Sequence, residues 1–276
     1  MKNILVPTDF SENCNKAAEL GIKMAKLYNA EVHFYHLIHT PVDWVKLDKL
    51  KEKRYPETLR QIGAAKSALR ELEKRAEKEG LECRTFLEYQ VETTKILKHS
   101  GHFHHDFIIT GSSGTKGAVR ELFGSNVEQI VRKSDVPVIV IKEEEVSFPF
   151  KNIVFVSDFD EDISEAFKHV ISIAKKCNAH TRLLRVNTKT DTNSIEAGLN
   201  PIKTFVDKFP ELKNYSMYVN NEPSAETGIN TFLTYEPADL IAMCTHGNTG
   251  FLSLFSKSIA EGVANHSTLP VMTIKI

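Results

Sequence analysis

The sequence predicts an α/β protein made of two tandem doubly wound domains, each a five-stranded parallel sheet flanked by helices. Three observations lead there. KNILVPTDFS at residues 2–11 returns as KNIVFVSDFD at 151–160, which marks a duplicated unit. Within each copy, short β-branched runs alternate with longer helical patterns, as parallel βαβ units require. The chain is also long enough, at 276 residues with 41% hydrophobic side chains, to pack two cores of ordinary size.

The repeat fixes the boundaries. An offset of 149 positions still holds where AKLYNAEV at 25–32 meets AKKCNAHT at 174–181. Further along, DFIITGSSG at 106–114 matches DLIAMCTHG at 239–247, and SDVPVIVIK at 134–142 matches STLPVMTIK at 267–275, both 133 positions apart. The second copy is therefore 16 residues shorter, all of them between its second strand and its last third. EEEVSFPF at 143–150 is the natural join, giving domains at 1–145 and 149–276.

In the first copy, strand NILVP precedes a helix opening near Ser11, with Cys14, Ala18, Ile22 and Ala25 turned toward the sheet. Strand EVHFYHLI follows. Leu59, Ile62, Ala65, Leu69, Leu72 and Ala76 recur at three- and four-residue steps, predicting a long amphipathic helix that packs on the sheet and ends at Gly80. Strands ECRTFLEY, DFIIT and PVIVIK bring the count to five. Right-handed crossovers then place helices on both faces.

Composition excludes several classes. With 35 basic against 36 acidic side chains, no global pull toward nucleic acid or an anionic membrane is expected. MKNILVPTDF is too short an apolar run for a signal peptide, and no stretch is long enough for a membrane span, so a cytoplasmic location is expected. Cys14, Cys83, Cys177 and Cys244 lack CxxC spacing, which predicts reduced, mostly buried thiols.

Chemistry is concentrated in GSSGTKGAVRELFGS at 111–125, directly after the apolar run DFIIT. In an open parallel sheet, ligands sit beyond the carboxyl ends of strands, where loops feed helix N-termini. Glycine lets backbone amides converge on an anion that a Cβ would push away. Ser125-Asn126-Val127-Glu128 reads as a capping box for the next helix, whose positive end would also face that anion. No G-x-G dinucleotide fingerprint or Walker A sequence is present; Gly124 is followed by Ser125 and not by lysine.

Gly111-x2-Gly114-x9-Gly124-Ser125, PTDFS at 7–11 and VPVIVIK at 136–142 resemble the universal stress protein family over nearly the whole chain. The resemblance implies an ATP site, with Mg²⁺, at Asp9, Leu37, Gly111, Gly114, Gly124 and Ser125. Glycines and serine would hold ribose and phosphates, Asp9 would lie near the nucleoside, and Leu37, after His36, would touch adenine. It also implies a regulatory output through an unknown protein partner. The closing strands would pair within the chain as a pseudo-dimer, with further homodimerisation left open. Two residues keep a second reading: Asp9 as a helix-dipole carboxylate and Ser125 as a pure N-cap. Lys116 and Arg120 either neutralise phosphate or are solvated. With no strong general base beside the phosphates, any hydrolysis should be slow. A weak ATPase and a nucleotide-free scaffold are the alternatives.

The second copy serves as an internal control. There Gly111 becomes Cys244 and Gly124 becomes Lys257, while Gly247, Gly250, Ser258 and Glu261 persist. The expectation is one nucleotide per chain, with Gly111 and Gly124 serving a ligand and not the fold. His99, His102, His104 and His105 form a tempting metal cluster but read as solvated helix-end residues, and no metal is expected there. The segment around Trp44 could lid the nucleotide or dock a partner.

Overall fold

The computed structural model describes residues 1–90, 95–112, 125–141, 146–188, 194–245 and 269–276. In chain order these form β1 (Asn3–Pro7), α1 (Glu12–Tyr28), β2 (Glu31–His39), a 3₁₀ turn at Trp44–Lys46, α2 (Lys49–Glu52), α3 (Pro56–Lys78), β3 (Cys83–Gln90), α4 (Lys95–His102), β4 (Phe107–Gly111), α5 (Ser125–Lys133) and β5 (Val138–Ile141). The second repeat gives β6 (Asn152–Val156), α6 (Ser164–Cys177), β7 (His180–Asn187), α7 (Ile195–Val206), β8 (Tyr215–Asn221), α8 (Ala225–Tyr235), β9 (Leu240–Thr245) and β10 (Val271–Lys275).

The strands join in a single sheet ordered β3-β2-β1-β4-β5-β10-β9-β6-β7-β8. Each repeat thus contributes five strands in the same doubly wound order, and all pairings within a repeat are parallel. The repeats meet through their closing strands, antiparallel, with Val271 opposite Val140 and Thr273 opposite Val138. Helices cover both faces, so central strands such as β4 and β9 are buried along their whole length. α1, α3, α6 and α7 pack on one face. α4, α5 and α8 pack on the other.

Helix ends explain why the repeat is legible. Asn29 takes a left-handed φ of 53°, its amide reaches the Lys26 carbonyl, and the Ala30 amide returns to Ala25 at 2.9 Å. This is a Schellman stop, and Asn tolerates the left-handed conformation better than most residues. Asn178 and Ala179 repeat it, with φ 52° and 2.8 Å from the Ala179 amide to the Ala174 oxygen. Gly80 ends α3 as predicted, with φ 75° and the Leu81 amide bonded to the Ala76 oxygen at 3.1 Å. Leu59 is the departure from the predicted α3 stripe: it is half-buried, and Thr58 takes the buried position one residue earlier. The second repeat is shorter partly because α7 has 12 residues against the 23 of α3.

On the α1 face the repeats also touch through side chains. The Tyr28 hydroxyl lies 3.4 Å from that of Ser172, Lys176 sits over the Tyr28 ring, and His169 stands edge-on to Phe107 at 5.9 Å. All four cysteines are free, two of them buried and two half-buried. No described helix is long and apolar enough to cross a membrane.

Candidate functional site

The carboxyl ends of β1, β2 and β4 surround a cleft in the first repeat. Asp9, His36, Leu37, Gly111, Ile96 and Val127 are among its lining residues. The structure therefore brings together three of the residues singled out in the sequence: Asp9, Leu37 and Gly111. Gly114, Gly117, Gly124, Lys116 and Arg120 lie outside the described residues. Ser125 is the first described residue of α5, and its side chain is likewise outside the description. A larger groove along α3 is lined by Lys66, Arg70, Glu73 and Lys74, a charged face.

The β1–α1 turn positions Asp9. The Phe10 amide donates to Thr8 Oγ1 at 2.9 Å, Phe10 itself has a φ of 65°, and the Ser11 amide donates to Asp9 Oδ1 at 2.9 Å. Ser11 then caps α1, accepting from the Cys14 amide at 3.4 Å. Burial pushes the Asp9 pKa up, but hydrogen bonds from the Ser11 hydroxyl and amide outweigh it, so the carboxyl titrates below its usual value. Asp9 is an anion at neutral pH, able to accept from hydroxyls or a base edge.

Opposite, His36 Nδ1 lies 2.7 Å from the Thr8 carbonyl, which can only accept, so Nδ1 carries the proton and Nε2 is left as an acceptor. Burial lowers the pKa of His36, leaving it neutral at pH 7. Tyr35, on the other face of β2, also lines the cleft, and its hydroxyl is buried without a hydrogen-bond partner. An unpaired buried hydroxyl costs about 1–3 kcal/mol, and a polar ligand in the cleft would relieve that cost. Sequence reasoning missed Tyr35 because nothing local distinguishes a strand tyrosine packed on a neighbour from one facing a void.

Gly111 overturns one expectation. A Cβ there would stand 2.4 Å from Asn13 C and Cys14 N and 2.6 Å from Asn13 O, all backbone of α1. The fold of the first repeat therefore requires this glycine, whatever the cleft binds. Asn13 ties the same junction by donating from Nδ2 to the Ser112 carbonyl at 2.7 Å. The second repeat accommodates Cys244 by starting its helix later: α1 begins at Glu12, whereas α6 begins only at Ser164 and has no side-chain cap at Ile163.

At the corresponding strand ends of the second repeat, the described residues include a buried arginine with its own partners. Arg185, in the place of His36, is 5% exposed and donates to the Asp158 carbonyl; its Nη1 and Nη2 reach the Asp160 carboxylate at 2.8 and 3.3 Å, and its Nε reaches Asn187 Oδ1 at 3.3 Å. Leu184 replaces Tyr35, and Cys244 replaces Gly111, both buried.

A second expectation is also overturned. His102 and His104 are exposed, but His99 and His105 are buried at 8% and 3% exposure, beside a buried His33. The sequence pattern groups the histidines of one segment and cannot show that a strand 66 residues earlier supplies a third. Trp44 packs with Ile38, Ile62 and Ala65 and faces Tyr55 edge-on at 6.0 Å, which seats its segment on α3.

A doubly wound sheet with a cleft at its strand ends defines a class of α/β proteins that bind small ligands where loops meet helix N-termini. Sequence comparison narrows this. The universal stress protein family profile matches residues 1–142 and 219–275, and the chain belongs to that family. Two universal stress proteins of Methanocaldococcus jannaschii, MJ0531 and MJ0577, are 29% and 28% identical to it over 143 and 159 residues. Those matches cover 51% and 52% of this chain and 82% and 96% of the relatives. A crystal structure of a universal stress protein from Archaeoglobus fulgidus superposes over 99% of this chain and 98% of its own, with a TM-score of 0.74 at 22% identity. That likeness concerns the fold.

Proposed function

We propose that this is a cytoplasmic nucleotide-responsive regulator that binds one ATP, carried in with Mg²⁺, in the first repeat (1–145), while the second repeat (149–276) binds none. The observation that carries the reading is the contrast between the two clefts. Both keep an aspartate at the turn, Asp9 and Asp158, but only the first has a neutral His36 and an unpaired Tyr35 hydroxyl along its wall. In the other, Arg185 and Asp160 satisfy each other where a ligand would sit.

The described lining fits a nucleoside. Leu37 and Ile96 offer apolar surface for a purine, and Asp9 offers an acceptor for ribose hydroxyls. Gly114, Gly124 and Ser125 would meet the phosphates at the start of α5. Asp9 is the one carboxylate of the described lining, so Mg²⁺ would be held mainly by phosphate oxygens and water. Regulation would follow if the nucleotide binds one conformation in preference to another.

The test is the nucleotide content of the freshly purified chain, released by denaturation and quantified, together with calorimetric titration of ATP against adenosine. About one ATP per chain, bound more tightly than adenosine, is expected. Two per chain would refute the asymmetry. No release and no binding would favour a nucleotide-free scaffold, and phosphate production above background in the same tubes would favour the ATPase reading.

A further inference from the structure

The structure assigns a buried metal site to His33, His99 and His105, on the α4 face of the first repeat: three imidazoles able to hold one divalent transition ion, Zn²⁺ by ligand type. His33 comes from β2, His99 from α4 and His105 from the turn into β4, and one ring nitrogen from each lies within 4.8 Å of the other two.

Counting protons shows what the cluster lacks. His105 Nδ1 lies 3.2 Å from the Ser100 carbonyl, His105 Nε2 lies 2.8 Å from His33 Nδ1, and His33 Nε2 lies 3.2 Å from Glu31 Oε1. The carbonyl and the carboxylate at the two ends can only accept, and Glu31 also accepts from Arg84 Nε at 2.6 Å. Three contacts in a row therefore need three protons, and two neutral imidazoles bring two. The shortfall falls on His33 Nε2, which is buried close to Glu31 but without a well-directed hydrogen bond. His99 Nε2 is buried with no partner at all.

A cation between His33 Nδ1 and His105 Nε2 resolves both defects. His105 would keep its Nδ1 proton on the Ser100 carbonyl, and His33 would move its proton from Nδ1 to Nε2, where it meets Glu31. These two histidines then have the outer-shell acceptors that metal-bound histidines almost always show. His99 Nε2 becomes the third ligand. Bonds of 2.0–2.1 Å at tetrahedral angles set nitrogens about 3.3–3.4 Å apart, so the closest pair need part by only about half an ångström. The Phe86 and Phe103 rings, 4.3 and 4.6 Å from His99, pack against the cluster, and the fourth position of a tetrahedral ion would fall to water. Imidazole-only donors suit zinc better than magnesium or calcium.

The second repeat shows that the fold does not need these imidazoles for packing. His33, His99 and His105 correspond there to Arg182, Phe232 and Ala238, and Arg182 Nε is paired with Glu236 at 3.0 Å. An occupied site would tie α4 to β2, the elements that carry Ile96, His36 and Leu37 into the cleft.

The test uses the full chain without an affinity tag, stripped with chelator and titrated with Zn²⁺ and with Co²⁺. About one zinc per chain should survive gel filtration, and Co²⁺ should give the intense visible absorption of a tetrahedral ion. His99→Gln should weaken zinc binding at least tenfold, whereas His102→Gln with His104→Gln should leave it unchanged. His99→Cys keeps a ligand and should add a thiolate-to-cobalt charge-transfer band, a readout that a packing role would not move. The assignment is overturned if the wild-type chain holds no stoichiometric zinc, if the exposed pair carries the binding, or if His99→Cys binds cobalt without that band.

Discussion

Gly111→Ala should destabilise the first repeat by about 1–3 kcal/mol even with no ligand present. The new Cβ would lie 2.4 Å from two backbone atoms of α1, where ordinary carbon contacts sit at about 3.5–4.0 Å. The first turn of α1 must then retreat by about 1 Å or unwind. Overpacking of that kind costs about 1–3 kcal/mol. Unwinding forfeits the Ser11 cap, worth about 1 kcal/mol, and the Asn15 to Ser11 backbone bond behind it, so both routes reach a similar loss. Gly63→Ala is the matched control, because a Cβ there meets nothing within 4 Å in the middle of α3; it should gain about 0.5–1 kcal/mol. Urea unfolding of both variants, with amide exchange read at Cys14 to Ala17, decides the matter. If Gly111→Ala stays within about 0.5 kcal/mol of wild type with those amides fully protected, the close approach of α1 to β4 is wrong.

Tyr35→Phe removes a hydroxyl that is buried without a partner, so the ligand-free chain should be unchanged or up to about 1 kcal/mol more stable, while ATP affinity by calorimetry falls several-fold. Asn29→Ala and Asn178→Ala each force a Cβ-bearing residue without a compensating amide into the left-handed region; each should cost about 1–2 kcal/mol in urea unfolding, equally in the two repeats. His169 has its pKa lowered by burial, against the opposing pull of Asp106 and Glu165. The unfolded chain therefore takes up this proton first, and the stability His169 contributes is present above about pH 6.5 and lost as pH falls through the lowered value. His169→Gln should make stability fall less steeply with acidification over that window.

The five strands of the first repeat, the helix start at Ser11 and the stop at Gly80 were legible because each rests on short-range chemistry: β-branched runs, a capping hydroxyl, a residue tolerant of positive φ. Pairing of the closing strands was implied by the family resemblance, and β5 and β10 do pair. The cleft was legible only in part. Asp9 and Leu37 came from the family resemblance, whereas Tyr35 and the His33–His99–His105 cluster depend on side chains from separate elements sharing a face. Gly111 was misread for a related reason. A missing side chain in the sequence does not say whether a ligand or the protein's own helix needs the space.

Duplication separates what the fold demands from what one cleft adds. Asp9 and Asp158 make the same turn, their Oδ1 atoms accepting from Ser11 and Asp160 at 2.9 and 3.2 Å. Thr8 and Ser157 hold Phe10 and Phe159 at φ values of 65° and 59°. Asp106 and Asp239 cap the first-strand amides of Asn3 and Asn152 at 3.0 and 2.8 Å. Persistence of Asp9 is therefore explained by the turn and is weak support for a ligand. The differences cluster instead around the cleft: Tyr35 against Leu184, His36 against Arg185, Ser11 against Asp160, Gly111 against Cys244. Arg185 and Asp160 depend on each other, since a guanidinium at 5% exposure needs its anion nearby. Substitutions that place a self-satisfied ion pair at one set of strand ends, while leaving a neutral imidazole and an unpaired hydroxyl at the other, fit the proposed division of labour between one binding repeat and one supporting repeat.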